Sequence, residues 1–232
     1  MARIVKEHSV RKNEILDEAQ RLIYTKGYEQ MTIQDILDAL QISKGAFYYY
    51  FDSKQALLEA SIERMVEAIT KVIEPIVEDE NLTSIEKFNL FIATTANWKT
   101  ERKDYLLPIM RVWYADENAI VRQKLQARGY ALIAPILSGI ILEGVQEGVM
   151  HTTYPDQVGV VVYSLMYSVG EKIAGIILSS KPADDDWPYL KKITAVYTDA
   201  IEKTIGISSG TLHIFDIETL KEWVVPVAAT QA

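Results

Sequence analysis

The chain contains no cysteine in its 232 residues. That excludes a disulfide framework and any thiolate metal site, and it agrees with a reducing compartment. Its three histidines, His8, His151 and His213, lie far apart. No Glu-x-x-His or His-x-x-x-His spacing puts two ligands on one helix face. No glycine-rich phosphate loop, Walker sequence or nucleophile elbow occurs. Carboxylates are plentiful but fall mostly at helix-surface spacing, where a solvated face is the default. The run Asp184-Asp185-Asp186 precedes a predicted helix and suits its macrodipole better than it suits a metal. Nothing here asks for an enzyme, a metal or a cofactor. Also missing is any useful length of alternating apolar and polar residues, so no strand is expected. The opening MARIVKEHSVRKNE has no apolar stretch of the signal-peptide kind.

What is present is a chain of ordinary globular composition, 49% apolar and 24% charged, with a net charge of −8. Its length allows one large domain or two small ones with ample core. The charge is unevenly placed. Residues 1–54 carry eight basic and eight acidic side chains, so all of the net negative charge lies beyond them. Arg3, Lys6, Arg11 and Lys12 against Glu7 make the first twelve residues basic. They read either as an arm that touches a nucleic-acid backbone or as a disordered terminus. An acidic body would repel DNA and turn the neutral-to-basic end toward it.

The most informative stretch is TIQDILDALQISKGAFYYYFDSK, Thr32 to Lys54. Thr32 and Asp35 stand at capping-box spacing, and Ile33, Ile36, Leu37 and Leu40 form one apolar stripe. Gln41-Ile42 makes a turn, and Ser43 is positioned as the N-cap of a second helix. At 100° per residue Phe47 and Phe51 share the inward side, with Gly45 and Tyr49 roughly opposite. Tyr48, Tyr49 and Tyr50 cannot all face one small core, so at least one phenol points outward beside Lys44. A short helix offering Lys, Gly and Tyr suits a DNA major groove. The alternative is a plain helical corner in a bundle.

The likeness extends further. Residues Ile15 to Leu58, ILDEAQRLIYTKGYEQMTIQDILDALQISKGAFYYYFDSKQALL, resemble the amino-terminal DNA-binding domain of the TetR family of transcriptional regulators. Gly27-Tyr28, Thr32, Ser43-Lys44-Gly45, Phe47-Tyr48, Phe51 and Lys54 match that family's pattern in order. One position departs: the family usually has Gly in the inter-helix turn where this chain has Gln41. A left-handed Gln there costs about 1 kcal/mol relative to Gly.

The resemblance implies an all-α fold. A three-helix helix-turn-helix DNA-binding domain (1–53) is followed by a helical effector-binding and dimerisation domain (54–232). It implies a cytoplasmic homodimer on a palindromic operator in double-stranded DNA, a repressor released by an unknown small-molecule effector. Thr32, Lys44, Tyr48, Tyr49 and Lys54 would contact phosphates or sugars, with Ser43 a further DNA-binding candidate. Gln34 and the exposed side of Lys44-Gly45-Ala46 would reach base edges. Two other readings stay open. One is a TetR-fold DNA-binding protein acting through a protein partner without a small molecule; the other is an enzyme or ligand-binding bundle that has lost DNA binding.

The rest of the chain reads as helix after helix. The first is expected over Val10–Lys26, stopped at Gly27. A long one capped by Asp52, with Gln55 at capping-box spacing, runs to Val77 past Pro75. Others are expected over Ser84–Lys99, Lys103–Ala115 and Asn118–Gln146, with Pro108 and Pro135 expected to kink the last two. Asp156 to Ser179 is apolar nearly all round, so it spans a membrane or is buried on every side. Glu171, Lys172 and its serines and tyrosines argue against the membrane. Burial on all sides is most easily met by a partner subunit. The next helix supports this, with Ile193, Val196, Tyr197, Ala200, Ile201, Thr204 and Ile205 on one face, and the family's last two long helices form such an interface. Asp216 to Val225 is a candidate short helix, with Leu220, Trp223 and Val224 packing back.

An aromatic set, Trp98, Tyr105, Trp113, Tyr114, Tyr130, Tyr163 and Tyr167, with Met110 and Met166, is available for an effector pocket. Arg111, Glu143, His151 or Glu171 would supply polar contacts. The competing reading is ordinary core or dimer packing.

Overall fold

The computed structural model describes residues 8–114, 119–179 and 186–223. Among these residues all regular structure is helical and no strand occurs. The chain divides into two compact units. One ends at Ala68 and takes in Asp104–Leu125; the other is Ile69–Lys103 with the chain from Gln126 onward.

In the first unit α1 (His8–Lys26) ends where expected. Gly27 follows at φ 80°, its N–H bonded to the Ile23 carbonyl at 3.0 Å. Ile15, Leu16, Ala19, Leu22 and Ile23 of α1 line one side of the core. α2 (Ile33–Leu40) adds Ile36 and Leu37, and α3 (Lys44–Tyr48) adds Phe47, which is completely buried. Phe51 follows α3 into the same core. Removing a ring as enclosed as Phe47 costs about 3–5 kcal/mol, so this one side chain does much to hold α3 in place.

Each of these short helices is held at its start by its own sequence. Thr32 Oγ1 accepts the Asp35 N–H at 3.1 Å, and Asp35 Oδ2 accepts the Thr32 N–H at 2.8 Å, a complete capping box. Ser43 Oγ accepts the Ala46 N–H at 3.2 Å. α4 (Lys54–Glu78) departs from expectation. Its cap is Ser53, whose hydroxyl accepts the Ala56 N–H at 3.0 Å, and not Asp52. The Leu57 N–H bonds the Ser53 carbonyl at 3.1 Å, so the first turn starts one residue later than Asp52 would set it. Leu57, Leu58 and Ile62 then enter the core. α6 (Lys103–Tyr114) contributes Ile109 to it.

The second unit contains α5 (Ser84–Thr100), most of α7 (Ala119–Gln146), α8 (Val158–Ile177), α9 (Asp186–Ile205) and α10 (Ile217–Trp223). α4, α6 and α7 continue past Pro75, Pro108 and Pro135. Phe88, Phe91, Leu137, Ile140, Ile141, Val162, Ile201 and Ile205 form its main core. α7 and α8 meet at Gly159, whose N–H reaches Ser138 Oγ at 3.1 Å. A Cβ there would lie 2.2 Å from the Ala134 carbonyl oxygen, so only glycine permits this approach. α5 carries a capping box at Thr83 and Glu86 that the sequence reading did not single out. Its first turn is also tied to the end of α7, because Glu147 accepts from Ser84 N and Oγ at 3.0 and 2.7 Å.

α8 is not buried on every side within one chain. Val158, Val162, Val169 and Ile173 are buried, whereas Val160 and Val161 are about half exposed (47% and 49%). In the last turn of α9 the nearly fully buried Glu202 carboxylate accepts the N–H groups of Gly210 and Leu212, beyond the helix, at 3.0 and 2.8 Å. Asp216 then caps α10, taking the Thr219 N–H at 3.0 Å, and Trp223 Nε1 donates to Thr100 Oγ1 at 3.0 Å. The expected packing residue Val224, the expected helix end Val225, the basic residues Arg3 and Lys6, and Asp184-Asp185 lie outside the described residues.

Candidate nucleic-acid interface

The two capped helices divide their side chains between core and solvent. On α3 Phe47 has no exposure, while Ser43, Lys44 and Gly45 are exposed and Ala46 is half-buried. Tyr48 is 42% exposed and Tyr49 72%, and Tyr50 packs partly against the core. The outward phenols required by a run of three tyrosines are therefore Tyr48 and Tyr49. Lys44 Nζ lies 5.8 Å from the centre of the Tyr48 ring, so an ammonium and a phenol are presented together.

On α2 Thr32 and Gln34 are exposed. The Thr32 hydroxyl also donates to Asp35 Oδ2 at 2.9 Å, and Lys26 Nζ reaches Asp35 Oδ1 at 2.6 Å. These bonds hold the Asp35 carboxyl down to about 2, the Lys26 bond contributing most. Gln34 Nε2 donates to Asp38 Oδ1 at 2.7 Å. Between the helices Gln41 adopts φ 51° and ψ 46°, the left-handed conformation, and its side chain is exposed. The turn does need a left-handed residue, and here it is filled without glycine.

Lys54 is placed differently from Lys44. It is half-buried, its ammonium lies 4.2 Å from the centre of the Tyr28 ring, and it donates to the Glu29 carbonyl at 3.3 Å. Burial lowers the Lys54 pKa and raises that of Tyr28. Two further residues join the surface: His8, which the sequence did not point to, and Lys12, expected only as part of a basic arm. The His8 ring is centred 4.8 Å from Tyr50 and 5.6 Å from Tyr49, and Lys12 Nζ lies 6.0 Å from the centre of the Phe51 ring. Their i, i+4 spacing on α1 was visible, but nothing in the sequence linked that face to the tyrosine run.

The arrangement offers an ammonium, hydroxyls and amides on a rigid support. Among the described residues no cluster of three His, Asp or Glu can hold a metal. An open groove of about 590 Å³ beside α1 is lined by Arg11, Glu14, Asp17, Glu18 and Arg21 among others. Its charges are paired, Arg11 with Glu14 at 2.8 Å and Arg64 with Asp17 at 2.6 Å, so it is a solvated ion-pair surface and not an apolar pocket.

The aromatic set is divided between the units. Tyr105, Met110, Trp113 and Tyr114 belong to the first, where Tyr105 and Trp113 pack against the core. Burial pushes the Tyr105 hydroxyl up to about 12. Trp98, Tyr130, Tyr163 and Tyr167 belong to the second. There the Tyr130 and Tyr163 rings meet edge-on at 4.8 Å, Tyr167 lies 6.3 Å from Tyr163, and the Tyr130 hydroxyl bonds Ser164 Oγ at 3.0 Å. Trp98 is stacked by the Arg102 guanidinium at 4.5 Å. Among the polar candidates, Glu143 is engaged by the buried Lys87 at 2.7 Å, and His151 Nδ1 lies 3.3 Å from the Gly206 carbonyl oxygen.

Residues 15–61 match the family of bacterial regulatory proteins called the tetR family, which covers α1 from Ile15 to the first turns of α4. The amino-terminal domain is of the TetR type. Over 55 residues it is 49% identical to an uncharacterized HTH-type transcriptional regulator from Lactococcus lactis subsp. lactis, covering 24% of this chain and 28% of that one. Over 62 residues it is 36% identical to IcaR, the HTH-type negative transcriptional regulator of the biofilm operon icaADBC in Staphylococcus aureus, covering 27% and 33%. The chain thus spans about a third of the length of the curated relatives it matches. Beyond that TetR domain the likeness is one of fold. The structure of a SmeT–triclosan complex superposes over 89% of this chain and 98% of its own with a TM-score of 0.59 at 16% identity.

Proposed function

We propose that this chain is a homodimeric transcriptional repressor of the TetR type that binds a palindromic operator in double-stranded DNA, in the cytoplasm. Residues 1–53 form the DNA-binding part and 54–232 the effector-binding and dimerisation part. The observation that carries the proposal is the division of α3: Phe47 is sealed in the core while Ser43, Lys44, Gly45, Tyr48 and Tyr49 face solvent. That exposed set can deliver one ammonium, two phenols and a hydroxyl to phosphates, with Gly45 letting a duplex come close. Ser43, Lys44, Tyr48 and Tyr49 are assigned to the DNA backbone, with Thr32 and Lys54 at its margin. Gln34 and the Lys44-Gly45-Ala46 surface are assigned to base edges.

The half-exposed Val160 and Val161 of α8 and Val196 of α9, 52% exposed, support a second subunit. Two helices, Gln126–Gln146 and Val158–Ile177, are long and apolar enough to cross a membrane by length and composition alone. A partner covering α8 accounts for the second of these without a bilayer. Two subunits would bring two α3 helices to successive major grooves about 34–36 Å apart.

Repression agrees with IcaR being a negative regulator. Release by a small molecule is supported by the SmeT likeness, since that protein was captured with triclosan, and by the aromatic cluster of Tyr130, Tyr163 and Tyr167. The effector would favour a spacing of the α3 helices that DNA does not, a competition carried through α4. Selection of bound duplexes from a random-sequence pool, repeated with candidate metabolites, tests both parts. Recovery of a palindrome supports the DNA reading, and loss of retention with a metabolite supports the effector. No enrichment of any duplex overturns the proposal. Enrichment that no metabolite disturbs favours action through a protein partner.

A further inference from the structure

Gln34 and Asp38 stand four residues apart on α2, away from the side on which Ile33, Ile36, Leu37 and Leu40 meet the core. Both side chains are exposed, and Gln34 Nε2 donates to Asp38 Oδ1 at 2.7 Å. A carboxylate only accepts, so this bond decides which end of the amide is which. The NH₂ end is drawn to Asp38, and Oε1 is left to face outward. The reversed amide would set its carbonyl oxygen against a carboxylate oxygen, acceptor against acceptor. The bond to an ionised partner is also the stronger kind, which makes the orientation a property of the free protein.

In the major groove cytosine presents an N4 amine and adenine an N6 amine beside the N7 acceptor. Guanine presents two acceptors, O6 and N7, and thymine presents O4 and a methyl group. We infer that Gln34, oriented by Asp38, selects a base carrying an exocyclic amine and rejects guanine and thymine at one position of each half-site. Adenine satisfies it best. Its N6–H meets Oε1, and its N7 meets the amide hydrogen that Asp38 does not use. A keto base brings O6 or O4 against Oε1 and against the Asp38 carboxylate. Asp38 is therefore a positioning residue and Gln34 the one that touches the base. The inference rests on the DNA-binding reading above and adds the chemical class of base recognised.

Duplex selection from a random pool with the full-length wild type, Gln34→Ala and Asp38→Ala tests it. Both substitutions are at exposed helix positions where alanine favours the helix, and thermal melts verify that the folds are equal. The wild type is expected to enrich adenine or cytosine at one position per half-site, with adenine the more frequent. Gln34→Ala should lose the preference at that position alone. Asp38→Ala should keep binding but admit guanine or thymine there, because the freed amide can turn its NH₂ end to O6, N7 or O4. A keto base at the wild-type position overturns the inference. So does a Gln34→Ala motif that is unchanged, or continued exclusion of keto bases by Asp38→Ala. Failure of every protein to retain any duplex overturns the DNA-binding reading itself.

Discussion

The Lys54 ammonium sits 4.2 Å from the centre of the Tyr28 ring and donates to the Glu29 carbonyl at 3.3 Å. The first residues of α4 are thereby fastened to the turn that follows α1. Cation–π contacts of this kind contribute about 0.5–2 kcal/mol, depending on how far the cation is desolvated. Lys54→Met should lower stability by about 1 kcal/mol on that basis, while Lys54→Arg should keep most of it. Urea melts measure the loss. If Lys54 served only as a phosphate contact, both variants would melt like the wild type.

Gln41 occupies the left-handed seat between α2 and α3 with φ 51°. Gln41→Gly should raise stability by about 1 kcal/mol, since only glycine adopts that conformation without Cβ strain. The urea midpoint should rise with an unchanged slope. A fall in the midpoint would mean that the exposed Gln41 side chain makes a contact worth more than the strain.

The Asp35 carboxyl is held at about 2, first by Lys26 and then by the Thr32 N–H and hydroxyl. Its folded value lies below the ordinary value of about 3.9, so the box stabilises the fold in full above that pH. The contribution fades as pH falls from about 4 and is lost through about 2. Carboxyl carbon NMR should give a midpoint near 2 for Asp35, and Lys26→Met should move it up. A wild-type midpoint in the ordinary range would contradict the bonds.

Lys44 extends from α3 with the Tyr48 ring 5.8 Å away and is exposed. Lys44→Ala should weaken binding to every duplex and reduce the dependence of log K on log salt by about one unit. Titrations at several salt concentrations read the slope directly. An unchanged slope removes Lys44 from the phosphate contacts.

Val160 and Val196 are each about half exposed on α8 and α9. Val160→Glu with Val196→Glu should leave a folded chain that sediments as a monomer, because charges placed in an apolar interface are left unpaired. Binding to a palindromic duplex should fall with it. A wild-type chain that is already monomeric at working concentration removes the dimer from the proposal.

The helices were legible because their signals are local. Thr32 and Asp35, or Ser43 and its helix, fall within one turn, and the stripe from Ile33 to Leu40 repeats at the period of that helix. The cap of α4 was misread, with Asp52 taken for Ser53, because adjacent residues of both types compete for the same amides. The surface of α3 was legible in outline, since three tyrosines exceed what one core can hold. Its neighbours His8 and Lys12 were not, because they come from the far end of the domain.

Taken alone, the residue order determined that the regular structure of the described residues is helical, where most helices begin and end, and which family's DNA-binding domain the first domain resembles. Those properties depend on periodicity and capping within a few residues. Tertiary structure alone decided that Lys54 lies on Tyr28, that Glu147 holds the start of α5 from 63 positions away, and that Glu202 secures the turn before α10. It also divided the expected effector residues between two units. Such pairings depend on how distant segments pack, and packing is a property of the whole core that no short stretch encodes.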